Sequence, residues 1–246
     1  MQNPVNISVV TFNRLEKTKF CLESIFRNTE VPFMLTVVDN NSEDGTRDWL
    51  LSNAFPISRV VLLNQNIGIA KASNIAWRDG PKAYYVKLDN DIVIEKRGWL
   101  RELVELCDNV DKLGVVAYNV EGRRFREASQ GPLKFQIKDQ GNLGGCSIMI
   151  PQRTWEKLGY WCEDYGLYGE EDADYGFRVQ KLGLWNVYHF EDEAVVHLPH
   201  PRYEADKDDN WYADFKKEKR NMNLEAGSKY HKNINSYTRH GAMRIQ

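Results

Sequence analysis

The sequence predicts an α/β fold, with a mostly parallel central sheet flanked by helices. Two observations carry that reading. Short runs rich in β-branched residues alternate with helical segments through the first half of the chain. This is the pattern of βαβ units, whose right-handed crossovers make neighbouring strands run the same way. Three of the first four strands also end in polar sequence suited to a ligand: Thr11-Phe12-Asn13-Arg14, Asp39-Asn40-Asn41 and Asp89-Asn90-Asp91. Ligands of such sheets lie beyond the carboxyl ends of the strands.

The elements follow in order. Val5–Phe12 reads as a strand and Leu15–Arg27 as a helix, with Leu15, Leu22, Ile25 and Phe26 near one face. Phe33–Asp39 is the second strand, closed by the turn Asn40-Asn41-Ser42-Glu43-Asp44-Gly45, after which a helix runs through Trp49 to about Ala54. Arg59–Leu63 is the third strand, Ile69–Arg78 the third helix, and Ala83–Leu88 the fourth strand. In the second half, Leu113–Tyr118 reads as a strand and residues 119–142 as loop or hairpin. Gly144–Ile150 is a buried strand, and Pro151 opens a helix to about Leu158. Glu170–Leu182 is a helix with an acidic start, and Trp185–Phe190 and Ala194–His197 are short strands. Residues 1–205 are read as one domain without a hard internal boundary, with a first half to about 118 and a second half after it; 206–246 form a basic helical tail.

Bulk properties agree with one large α/β unit. The chain has 246 residues, 42% hydrophobic and 28% charged, with a formal net charge of −2, so nothing global attracts nucleic acid or membrane. Cys21, Cys107, Cys146 and Cys162 are widely spaced with no CxxC pair, which favours buried thiols over disulfides. The start, MQNPVNISVVTFNR, lacks the basic and apolar segments of a secretory signal, and no run reaches the roughly 20 apolar residues that span a bilayer. The expectation is a cytoplasmic protein, with peripheral membrane contact left open. From Phe215 to Gln246 the tail carries eight basic and two acidic residues interleaved with Tyr230, His231 and Tyr237. That patch suits a polyanion or an anionic membrane surface, although a solvated helix explains it as well.

Asp89-Asn90-Asp91 is the first chemical signal. Two carboxylates one residue apart at a strand end can share a hard divalent cation, Mn²⁺ or Mg²⁺, which would bridge two phosphates and make a nucleotide a better leaving group. The same residues are also ordinary turn formers; their position after the fourth strand favours the metal reading.

With these pieces assembled, the chain resembles the inverting family 2 glycosyltransferases of the GT-A fold, a Rossmann-like sheet with a small acceptor-side subregion. The resemblance rests on Val9-Val10-Thr11-Phe12-Asn13-Arg14, on Val37-Val38-Asp39-Asn40-Asn41-Ser42 with Asp44-Gly45-Thr46, and on Asn64-Gln65-Asn66-Ile67-Gly68 with Asn74. It continues through Leu88-Asp89-Asn90-Asp91 to Gly169-Glu170-Glu171-Asp172-Ala173-Asp174 and Arg178, in the family's order over roughly residues 5–200. It implies transfer of a sugar from a nucleotide-sugar donor, UDP-linked by family frequency, to an acceptor hydroxyl, with a nucleotide-binding half to about residue 118 and an acceptor-binding half from about 119 to 205. Thr11, Asn13, Arg14, Asp39, Asn66, Gly68, Lys71, Asp89 and Asn90 would meet the donor. Asp39 would sit beside base and ribose, and Lys71 would steady a phosphate. Asp89, Asp91 and His197 would ligate the metal, with His200 a weaker candidate.

The resemblance also makes Asp172 the catalytic base, with Glu171 in reserve. Carboxylates are favoured at a helix N-terminus, but four in the five positions Glu170–Asp174 exceed what capping needs, and crowded like charges raise a carboxyl pKa. Gly144, Gly145, Trp161, Tyr165 and Tyr168 would form the acceptor pocket, the aromatics stacking on sugar. Two rivals remain. A non-catalytic nucleotide-sugar or glycan-binding module would not need Asp172, and a nucleotidyltransferase would begin with a Gly-rich basic loop that this chain lacks. The acceptor is left open between a glycan, a lipid-linked sugar, another polymer and modified DNA.

Overall fold

A computed structural model describes residues 5–52, 55–78, 83–141, 143–191 and 194–198. His200 and the tail from 206 lie outside the described residues, as do the expectations placed on them. The elements are β1 (Val5–Thr11), α1 (Leu15–Asn28), β2 (Phe33–Asp39), α2 (Thr46–Leu51), β3 (Arg59–Leu62), α3 (Ile69–Ala76), β4 (Tyr84–Asp89), β5 (Ile92–Ile94) and α4 (Trp99–Asn109). They continue with β6 (Leu113–Ala117), β7 (Arg126–Gln130), β8 (Leu133–Ile137), β9 (Ser147–Pro151), α5 (Gln152–Leu158), a 3₁₀ turn at Glu163–Tyr165, α6 (Glu171–Lys181), β10 (Trp185–His189) and β11 (Val195–His197).

One nine-stranded sheet takes the order β3-β2-β1-β4-β9-β6-β10-β8-β7. β3, β2, β1 and β4 pair in parallel. β9 enters antiparallel between β4 and β6, β10 is parallel to β6, and the β7–β8 hairpin closes the far edge. The strands therefore share one direction except β9 and β8. The stretch at 119–142 is thus a hairpin that extends the main sheet, with Phe135, Gln136 and Ile137 buried. A separate ribbon pairs β5 with β11, setting His197 opposite Ile92.

Strand alternation builds two apolar layers, one on each face. Ile7, Val9, Leu35, Val37, Val86 and Leu88 pack with Leu22 and Ile25 of α1 and Leu100, Leu103 and Leu106 of α4. Val10, Val38, Tyr85, Ile148 and Ile150 pack on the other face with Ala70, Ala72 and Ala76 of α3 and Tyr175 and Val179 of α6. The small residues of α3 let it lie close to the sheet, where Trp77 Nε1 donates to Ser8 Oγ at 3.0 Å. Two elements were not expected from sequence. α4 is amphipathic, burying Trp99, Leu100, Leu103, Leu106 and Cys107. β5 is fixed by α1, since Asn28 Nδ2 donates to Ile94 O (2.6 Å) and Ile94 N donates to Ser24 Oγ (2.9 Å). The four cysteines are buried and form no disulfide. Among the described residues, no helix is long and apolar enough to cross a membrane.

Candidate active site

The carboxyl ends of β1, β2 and β4 lie along one edge of the sheet. Because β9 runs backwards, its entry loop reaches that same edge, and Asp89 N donates to Cys146 O at 2.9 Å. Gly145 in turn packs against the start of α6: a Cβ placed on Gly145 would fall 2.7 Å from Asp172 Oδ2. The Asp-Asn-Asp turn, the glycine pair and the acidic helix start, far apart in sequence, are therefore neighbours.

A residue the sequence reading passed over sits at the centre. Lys87 points from β4 to the same face as Asp89, two positions away on the pleat. Its side chain is 3% exposed, and Nζ donates to Asp89 Oδ1 and to Gly145 O, each at 2.6 Å. Burial alone would drive its proton off, but Asp89, Glu171 and Asp172 outweigh that and push its pKa up. The sequence signal was a lone lysine in an apolar strand, two residues before an aspartate.

The two carboxylates beside it differ. Glu171 is 6% exposed, and its Oε2 accepts no hydrogen bond among the described residues. Burial, then the adjacent Asp172, raise its pKa to about 7 against the pull of Lys87. Asp172 is half-buried and also shifted upward, first by burial, with Lys87 and the Ala173 N–H (2.8 Å to Oδ1) opposing. Glu170 takes a left-handed backbone conformation at φ 69 to start the helix. Asp174 and Arg178 are fully buried partners at 2.7 Å, and Arg178 also donates to Leu158 O and Tyr160 O. That last motif pair holds α6 to the end of α5.

At the other aspartate, Arg14 NH1 donates to Asp91 Oδ2 at 2.8 Å, and His197 Nε2 lies 3.6 Å from Asp91 Oδ1. The β5–β11 ribbon creates the second proximity, reinforced by Leu198 N donating to Asp91 O at 2.8 Å. Among the described residues no three His, Cys, Asp or Glu side chains converge. The donor set nevertheless fits a cation of the Mg²⁺ or Mn²⁺ type, which takes one or two protein carboxylates and completes its shell with phosphate and water. A carboxylate oxygen and an imidazole nitrogen 3.6 Å apart can both reach one ion at about 2.1 Å from each.

Several expected donor contacts have structural employment. Thr11 is fully buried, its Oγ1 bonded to Thr18 Oγ1 (2.9 Å). Asn90 Nδ2 donates to Thr11 Oγ1 (3.1 Å), Thr18 Oγ1 (3.0 Å) and Asn13 O (3.3 Å), binding the β4 turn to the β1 loop. Asp39 is fully buried; its oxygens accept from Ser42 N, and Arg47 lies 3.6 Å away. Asn13 lashes the β1 loop to the β2 loop, donating from N to Ser42 Oγ (2.7 Å) and accepting at Oδ1 from Glu43 N (2.9 Å). Asn66 Oδ1 accepts from Asn40 Nδ2 and Gly68 N. Gly68, at φ 91, allows a close approach of protein backbone: a Cβ there would lie 2.4 Å from Gly166 O. Lys71 is exposed on α3.

On the acceptor side the residues separate. Gly144 N donates to Tyr188 Oη at 2.7 Å, and that hydroxyl donates to Glu121, which also holds Lys138 at 2.5 Å. Tyr168 is 45% exposed beside Leu167 at 57%. Trp161 is a correction: it has no exposed surface and packs between Trp77 and Tyr175 (centroids 5.4 and 4.6 Å), so its ring presents no face to a sugar. Tyr165 is likewise buried.

Residues 7–155 match the family described as Glycosyl transferase family 2. The chain belongs to glycosyltransferase family 2. Its fold is of the GT-A type. It is similar in fold to a mannosyltransferase, PcManGT, from Pyrobaculum calidifontis in complex with GDP-Man and Mn²⁺ (TM-score 0.64, 21% identity, covering 83% of this chain and 60% of that one). It is similar also to GalNAc-T7 with UDP, GalNAc and Mn²⁺ (0.66, 11%, 81% and 44%). A third similar structure is S. aureus TarS 1–349 in complex with UDP-GlcNAc (0.58, 17%, 80% and 59%). The chain spans less than two thirds of each of these proteins. No curated protein matches it in sequence.

Proposed function

We propose that this family 2 chain is an inverting, metal-dependent transferase that moves a hexose or pentose from a nucleoside-diphosphate sugar to an acceptor hydroxyl. The observation that supports the reading is the junction of Asp89, Lys87, Gly145 and Asp172, where Lys87 ties Asp89 to Gly145 O and Gly145 packs against Asp172. The similar structures hold UDP, GDP-mannose or UDP-GlcNAc, two of them with Mn²⁺, which supports a nucleotide-sugar donor and a cation here.

Each residue's work follows from its surroundings. Asp89, Asp91 and His197 would hold Mn²⁺ or Mg²⁺, whose chemistry is to offset charge on the departing diphosphate. Asn13, Arg14 and Lys71 border the donor, while Thr11, Asn90 and Asp39 fix the loops that shape it. Asp172, half-buried with a raised pKa, accepts the acceptor hydroxyl's proton as that oxygen attacks the anomeric carbon opposite the diphosphate, inverting its configuration. Glu171 is too enclosed to meet an acceptor, and the raised pKa of Asp172 comes first from its own burial, with Asp89 adding to it. Gly144, Gly145 and exposed Tyr168 form the acceptor wall. The acceptor is a hydroxyl on a glycan, lipid-linked sugar or other polymer, met at the aqueous phase or at a membrane surface.

The test is a donor screen by calorimetry with Mn²⁺, followed by transfer assays on wild type and Asp172→Asn. Transfer is lost in the variant with donor affinity kept within several-fold. Binding of no nucleotide-sugar refutes the reading, and full turnover in Asp172→Asn moves the base elsewhere.

A further inference from the structure

The two aspartates of the Asp-Asn-Asp turn each carry a protein cation, and the two cations are held very differently. Lys87 is 3% exposed and its ammonium is anchored twice, to Asp89 Oδ1 and to Gly145 O. It cannot leave without opening the junction with α6. Arg14 is 31% exposed and reaches Asp91, itself 5% exposed, from a loop. That loop is under backbone strain: Asn13 at φ 57 and Arg14 at φ 65 are consecutive non-glycine residues in the left-handed region. Asn90 and the Asn13–Ser42 and Asn13–Glu43 bonds hold it there, and this backbone aims the Arg14 side chain at Asp91.

Asp91 has two oxygens and a neighbour at each, the Arg14 guanidinium on Oδ2 and His197 Nε2 3.6 Å from Oδ1. A divalent ion on that carboxylate would stand next to a guanidinium of the same sign, so the two repel at the moment of binding. Asp89 does not offer a comparable exchange, because its counter-ion is buried.

From this we infer that Arg14 is a positioning residue that competes with the divalent cation for Asp91 and moves to the diphosphate when the cation binds. The inference rests on the metal-dependent reading above. The cation alone meets the full competition, whereas a cation arriving with a diphosphate gives the displaced guanidinium a new anionic partner with matching geometry. Metal and nucleotide then bind with positive coupling, each raising the other's affinity by the same factor.

The experiment is a Mn²⁺ titration of the full chain followed by electron paramagnetic resonance of the free ion. It is run with no nucleotide and with saturating UDP or GDP in separate arms, on wild type, Arg14→Gln and Asp91→Ala. Without nucleotide, Arg14→Gln binds Mn²⁺ about tenfold more tightly than wild type, and the nucleotide-induced gain seen in wild type shrinks by a comparable factor, within the usual range of coupling between two ligands. A residue filling only a structural place would leave the nucleotide-free affinity unchanged. Arg14→Asn, whose side chain tolerates the left-handed backbone, serves if the glutamine variant does not fold. Unchanged or weaker Mn²⁺ binding in the Arg14 variants overturns the inference, while loss in Asp91→Ala keeps the metal site itself. Mn²⁺ binding indifferent to Asp91→Ala, or absent in every arm, instead removes the metal reading and the inference with it.

Discussion

Replacing Glu171 by glutamine should stabilise the protein relative to its own low-pH behaviour, and the size of the effect follows from the structure. The folded carboxyl titrates at about 7 against an ordinary 4.5, because it is buried and faces Asp172. Between those values the folded chain keeps a proton that the unfolded chain has released. Stability is therefore highest below the unfolded value, falls as pH rises through the window from 4.5 to about 7, and stays at the lower level above it. At 1.36 kcal/mol per pH unit the gap amounts to roughly 3 kcal/mol. Glutamine cannot ionise, so Glu171→Gln removes that decline. Its amide has its own cost, since Glu171 Oε2 accepts no hydrogen bond among the described residues and a buried unpaired donor costs about 1–3 kcal/mol. That cost applies at every pH and cancels from the difference. The assay is urea unfolding of both proteins in chelator at about pH 4.5 and pH 8.5. The variant's relative stability should improve by about 3 kcal/mol from the lower to the higher pH. A change below about 1 kcal/mol, under one pH unit's worth of linkage, would refute the argument that Glu171 is driven towards its neutral form.

Three further substitutions probe the packing around the site. Gly68→Ala places a Cβ 2.4 Å from Gly166 O and 2.9 Å from Leu167 Cα at a φ of 91; with backbone on both sides, a loss of roughly 2–4 kcal/mol is expected in thermal or urea unfolding. Gly145→Ala collides instead with the Asp172 side chain, at 2.7 Å from Oδ2. That side chain can turn aside, so the expected result is a stability loss under about 1.5 kcal/mol with kcat reduced by tenfold or more, read by unfolding and transfer assays in parallel. Lys87→Met leaves Gly145 O without its donor and Asp89 without its counter-ion. Breaking a buried pair costs about 3–5 kcal/mol, and the lower end is expected because Asp89 is 32% exposed and regains water.

Much of this architecture was legible because its signals are local. β1, β2 and β4 are short, mainly apolar strands buried along most of their length and bounded by polar turns, and their limits came within a residue or so of the structure. α6 announced itself through its acidic first turn and Phe177, Val179 and Leu182. α4 carries the same kind of local signal, with Trp99, Leu100, Leu103, Leu106 and Cys107 at helical spacing. What the chain could not state locally is which polar residues are consumed by each other. Thr11, Asn90 and Asp39 look like ligand contacts in a string of letters; only the closure of the β1, β2 and β4 loops on one another shows them spending their hydrogen bonds on shape. Trp161 likewise reads as a sugar platform until Trp77 and Tyr175 close around it. Lys87 was hidden for the opposite reason: its partners Asp89 and Gly145 lie on different strands' ends, and the second arrives only because β9 reverses.

That reversed strand has a consequence for how the molecule can diversify. In a sheet of uniformly directed strands, every loop on the working rim departs from a strand, so each is tied to the crossover that must follow it. Here one rim loop arrives from the β7–β8 hairpin at the sheet's opposite margin and delivers Gly144 and Gly145 into the middle of the rim. Under the proposed function, a new hairpin grafted at that margin would remodel the proposed acceptor wall while the crossovers of β1 to β4 keep their register, which would make recipient choice the separable module of this domain.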